Sequence, residues 1–141
     1  MDTVESCFLE LFLNTVYQYS VLVLVLSLCD EIMAVDNRIR FVAHLDEKGA
    51  LVEMKMRPGV NSLTAENTDE RLFGFIEPCI MGICNDLEKD FGKIKTVRLK
   101  FNKVSVIFLR IPKAFVGISM EPGSTTPVVE KIAAKYGTNL T

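Results

Sequence analysis

Residues 104–111 read VSVIFLRI, six apolar side chains broken only by Ser105 and Arg110. A strand with one wet face alternates apolar and polar residues. A nearly unbroken apolar run is what a strand covered on both faces requires. The chain must therefore carry apolar cover for both sides of a sheet, and helices on both faces supply it.

The flanking segments read as strands of the same sheet. In IKTVRLKF, residues 94–101, Val97, Leu99 and Phe101 alternate with Thr96, Arg98 and Lys100, and the charges suit an edge. AFVGISM follows a turn at Pro112 and Lys113. Upstream, RIRFVAHL at 38–45 alternates, with Ile39, Phe41, Ala43 and Leu45 on one side and Arg40, Val42 and His44 on the other. Asp46 to Gly49 form a hairpin tip, Gly49 taking the positive-φ position. ALVEMKM at 50–56 returns, and Arg57, Pro58 and Gly59 end it.

Three helices complete the pattern. Val21, Val25, Leu28, Ile32 and Val35 are spaced by 4, 3, 4 and 3, which predicts one helix over 21–35. Its first half is apolar nearly all round and must go under something: the sheet, residues 1–20, a second copy or lipid. Asn67 and Glu70 resemble a capping box ahead of the stripe Leu72, Ile76, Cys79, Ile83 and Leu87, with Gly92 ending the helix. Pro78 lies inside it, its ring facing Gly74 one turn back, which predicts a kink. Gly74 and Gly82 share nearly one face and allow close approach. Thr126 as cap and Pro127 as first residue open a last helix that buries Val129, Ile132, Ala133 and Tyr136 and ends at Gly137. The order is α-β-β-α-β-β-β-α. The expected fold class is α+β: one domain over 21–137 with a five-stranded antiparallel sheet, a helical extension over 1–20 and a fraying tail over 138–141.

Chemistry is sparse. His44 is the sole histidine, and nothing around it suggests a nucleophile system. Cys7, Cys29, Cys79 and Cys84 have no framework spacing and read as free thiols, mostly buried, which fits a reducing cytosol. Cys79 and Cys84 lack a second ligand pair for zinc. Asp46, Glu47 and Lys48 form a solvated tip, and no glycine-rich phosphate loop exists. The expectation is no catalytic residue, no cofactor and no metal. A net charge of −2 gives no basic field for nucleic acid.

Three features invite a binding role. Arg38, Arg40, Lys55 and Arg57 form a candidate basic patch across the first hairpin, suited to an acidic partner or a phosphate. Phe41, Phe73, Phe108 and Phe115 are candidates to line a pocket for a small ligand. Residues 11–29 carry no charge and have a mean hydropathy of roughly 1.7, close to a membrane threshold. Asn14, Gln18 and Ser20 interrupt that run, and no Lys or Arg precedes it as a signal peptide requires. Membrane association through 11–29 is therefore the alternative to a cytoplasmic protein.

The helix, the hairpin RFVAHLDEKGALVE, the long central helix, the meander VRLKFNKVSVIFLRIPKAFVGISM and the closing helix resemble the dynein light chain roadblock type of domain, within the profilin-like and longin-like group. The chain is also similar to small archaeal proteins built on this plan. The resemblance covers about residues 21–137. It implies a non-enzymatic, homodimeric platform that binds small GTPases or larger assemblies. The pairing elements would be residues 70–90 and 94–101, and the implied interface is Gly74, Pro78, Gly82, Val97, Arg98 and Leu99. The chain departs from the family pattern at Pro78 and in its twenty leading residues.

Overall fold

The computed structural model describes residues 27–60 and 68–140, with the backbone alone over 68–77. The elements are α1 (Leu28–Met33), β1 (Ile39–Asp46), β2 (Leu51–Met56), α2 (Thr68–Phe91), β3 (Thr96–Lys100), β4 (Ser105–Ile111), β5 (Ala114–Met120) and α3 (Thr126–Tyr136). The strands form one antiparallel sheet in the order β2-β1-β5-β4-β3. Element order and fold class match the expectation from sequence. The expected extension over 1–20 lies outside the described residues.

β4 divides the core in two. Ile107, Leu109 and Ile111 point to one face, where they meet Cys29 and Ile32 of α1 and Val128, Val129 and Ile132 of α3. Val106 and Phe108 point to the other, where they meet Ile80 and Cys84 of α2. The apolar run at 104–111 is thus buried from both sides. Both short helices cover one face, and α2 covers the other.

Some local expectations change. Ser27 is extended, with φ −78° and ψ 163°, so α1 begins after it rather than running through from Val21. The cause is a capping box: Asp30 N donates to the Ser27 hydroxyl, and Ser27 N donates to the Asp30 carboxylate. Residues 21–26 of the expected helix lie outside the described residues. Ile39 does not share a face with Phe41. The β1–β5 register slips between them, so Ile39 packs with α1 and α3 while Phe41 packs with α2. The first residue of α3 is Thr126 and its cap is Thr125, whose side chain makes no capping bond. α2 continues through Pro78 as helix.

The turns follow their residues. Gly49 has φ +86°, and the Asp46 carboxylate accepts from the backbone N–H of Lys48 and Ala50. The β4–β5 turn places Lys113 at φ +64°; among the described residues it is the single non-glycine with positive φ.

Candidate functional site

α2 buries one side and exposes the flank next to it. Ile80 and Cys84 are buried against the sheet, while Ile83, Leu87 and Phe91 are 46%, 42% and 80% exposed. The exposed three are four residues apart, so they form one stripe on the helix. Beyond α2, the chain forms β3, an outer strand of the sheet that pairs with β4 along one side. Phe101, just past β3, is 51% exposed. Exposed apolar residues scattered singly need no explanation, but a stripe beside a sheet edge is a candidate interface.

Residues named from sequence fall around this face unevenly. Pro78 is exposed, and Gly82 lies beside Ile83. A Cβ built on Gly82 would meet nothing within 4 Å. Val97 and Leu99 are partly buried on the α2 side of the sheet. Arg98 points to the opposite side and donates to the Thr126 hydroxyl at 3.0 Å. Gly74 belongs to the α2 segment described by backbone alone. Phe91 was not among the residues singled out from sequence, and Phe101 entered there only through the alternation of its strand. Their signal was present, since Phe91 extends the Ile83–Leu87 spacing by one more turn.

Arg38, Arg40, Lys55 and Arg57 have partners within the chain, and three of them converge on α1 and the loop after it. Lys55 Nζ lies 2.8 Å from Asp30, and this bond holds the Asp30 carboxyl below its usual range and raises Lys55. Arg57 donates to the carbonyls of Met33, Asp36 and Ile39 at 2.6, 2.8 and 2.6 Å. Arg38 donates through its backbone N–H to Asp36 and through its side chain to the Ser124 carbonyl. The Arg38 backbone bond is the largest cause of a lowered Asp36 pKa. Arg40 pairs with Glu121.

Phe41, Phe108 and Phe115 do not line a pocket in the middle of the sheet. They are 6%, 2% and 3% exposed because α2 fills the space above them. The Phe73 side chain lies outside the described residues. Cys29 and Cys84 are buried free thiols, Cys29 pushed up to about 11 mainly by burial and Cys84 raised for the same reason. Such thiols are poor nucleophiles. Cys79 is exposed. Among the described residues, no group of three or more His, Cys, Asp or Glu side chains is placed to hold a metal ion, and no helix is long and apolar enough to cross a membrane.

No family model matches the chain, and no curated protein matches it in sequence. Solved structures do match. MglB of Myxococcus xanthus superposes with a TM-score of 0.56 at 16% identity, over 78% of this chain and 88% of that one. A structure described as MglB with tetrameric arrangement gives a TM-score of 0.57 at 12% identity, over 77% and 78%. A Roadblock/LC7 domain from Streptomyces avermitilis gives 0.52 at 6% identity, over 74% and 88%.

The fold is a roadblock fold.

At these identities the likeness speaks for architecture. Within the roadblock fold, α2 is the long helix between hairpin and meander, and β3 is the outer strand that follows it. The stripe Ile83–Leu87–Phe91 therefore belongs to the elements that the sequence resemblance nominated for pairing.

Proposed function

We propose that this chain is a non-catalytic binding platform that pairs with a second copy through the exposed flank of α2 and the side of β3 that pairs with no strand among the described residues. The observation that carries this is the exposed stripe Ile83, Leu87 and Phe91 beside an outer strand. A stable pair needs about 800 Å² from each partner, with an apolar centre. The stripe supplies the centre. Gly82 lies about 100° round the helix from Ile83, and a Cβ there would meet nothing within 4 Å, so the helix is open on that side too. Val97 and Leu99 lie on the α2 side of β3, Arg98 lies on its other side, and Pro78 is exposed earlier on the same helix. The solved MglB of tetrameric arrangement supports assembly as a use of this fold. The roadblock resemblance supports a regulatory protein, such as a small GTPase, as the partner of the assembled pair.

Size exclusion with light scattering tests the pairing. The expected mass is twice 15.8 kDa. Leu87→Lys with Phe91→Asp, and separately Gly82→Leu with Arg98→Glu, should each give a folded monomer. A monomeric parent chain, or a dimer that survives both double substitutions, overturns the interface. A cysteine cross-link gives a second reading: with Cys7→Ser, a short bismaleimide should join two chains through exposed Cys79. The small-GTPase part is tested by pull-down with GTPases loaded with GDP or a GTP analogue. The dimer should retain one of them in a nucleotide-dependent way, and equal or absent retention rejects it.

A further inference from the structure

At one end of the sheet, four segments enclose a cleft of about 580 Å³. They are the β1–β2 tip with Glu47, the end of α2 and its connection to β3 with Glu88, Lys93 and Lys95, the end of β4 with its turn over 110–115, and residues 138–139 after α3. The volume lies within the roughly 300–1,000 Å³ usual for small-molecule sites.

The cleft's charge is lopsided. Lys93, Lys95, Arg110 and Lys113 stand against Glu47 and Glu88, four cations to two anions, an excess of two positive charges. The whole chain carries −2. Glu88 is paired with Arg110 inside the wall. Arg110 is held rigid there: its Nε donates to the Ile94 carbonyl at 2.9 Å, and its guanidinium lies 4.4 Å over the Phe115 ring. Lys93 and Lys113 form no ion pair among the described residues.

A second observation is independent of charge. Lys113 lines the cleft in the left-handed conformation, at φ +64°. A two-residue turn that needs positive φ ordinarily takes Gly or Asn there. Backbone strain at a residue facing a cleft points to use of its side chain.

We infer that this cleft binds a phosphate-bearing small molecule. Point-charge lysines delivered from separate segments suit the clustered tetrahedral oxygens of a phosphate better than planar carboxylates, whether one or several. Pro112 and Ala114 give an apolar wall for the rest of the ligand. The cleft shares no residue with the pairing stripe, so this inference stands or falls separately from the proposed dimer.

The experiment is an NMR titration of the isotope-labelled protein with ATP, pyrophosphate and citrate in turn. ATP and pyrophosphate should shift the amides of 93–95 and 110–115 saturably, with citrate weaker by roughly tenfold. Lys113→Gly should relax the turn, keep or raise Tm, and weaken ATP binding by about tenfold. Lys93→Glu should weaken it likewise, with the oligomeric mass unchanged in both variants. Absent or unsaturable shifts overturn the site. Binding untouched by both substitutions places the ligand elsewhere, and citrate binding as tightly as pyrophosphate rejects the phosphate class.

Discussion

The Tyr136 hydroxyl donates to the Glu31 carboxylate at 2.8 Å, joining α3 to α1 across 105 residues of sequence. The two helices share a sheet face, and this bond ties their outer edges. Tyr136→Phe keeps the packing and loses the bond, so it should cost about 1–2 kcal/mol in urea unfolding. Burial, helped by the Glu31 carboxylate, raises the Tyr136 pKa. A raised folded pKa contributes stability that is full below the unfolded value of about 10 and is lost as pH rises above it. The parent chain should therefore lose stability faster above that pH than Tyr136→Phe does. Parallel alkaline profiles would show that folding does not raise the Tyr136 pKa.

Arg57 caps α1 from another element. Its Nη2 reaches the carbonyls of Met33 and Asp36, and its Nε the carbonyl of Ile39. Only a planar fork meets carbonyls placed this way. Arg57→Met should cost about 3 kcal/mol, since the last carbonyl of α1 and two carbonyls after it lose a charged donor. Arg57→Lys should recover less than half of that. Full recovery by lysine, measured by chemical denaturation, would mean that charge alone matters.

Gly49 is needed twice, for φ +86° and for space. A Cβ there would stand 2.5 Å from Met81 Cγ on α2. Gly49→Ala should cost about 2–3 kcal/mol, combining backbone strain with the clash. Adding Met81→Ala should return the steric part and leave about 1–2 kcal/mol from the backbone. A double-mutant cycle reads this directly, and strictly additive costs would show that the tip does not press on α2.

Asp36 sets an acid limit. The Arg38 backbone N–H, with the Arg38 and Lys131 side chains, keeps its carboxyl below the ordinary range. A lowered folded pKa gives stability that is present above the unfolded value of about 3.9 and is lost as pH falls through the folded one. The parent chain should weaken over that interval, and Asp36→Asn should show a shallower slope there. Equal slopes in Tm against pH would assign the acid sensitivity to other groups.

Much of this was legible locally because hydrophobic period and turn residues act over a few positions. The run at 104–111 determined that both sheet faces are covered, since a strand offers no third side. Gly49 and Gly137 marked positive φ before any tertiary contact is considered, because other L residues are strained there. The stripe from Leu72 to Leu87 determined a long amphipathic helix. Tertiary structure decided what each pattern faces. Phe41 and Phe108 suggested a pocket until α2 was seen to fill it, Phe115 lines the cleft at the end of the sheet instead, and Ile39 changed face through a register slip that alternation cannot report. Arg38, Arg40, Lys55 and Arg57 suggested an open patch, yet Ser124, Glu121, Asp30 and the Met33 carbonyl, which engage them in turn, come from other segments. The cleft joins residues from 47 to 139. Period reports which side chains lie together on one element; which of those sides meets another element, solvent or a second chain depends on the whole sheet being assembled.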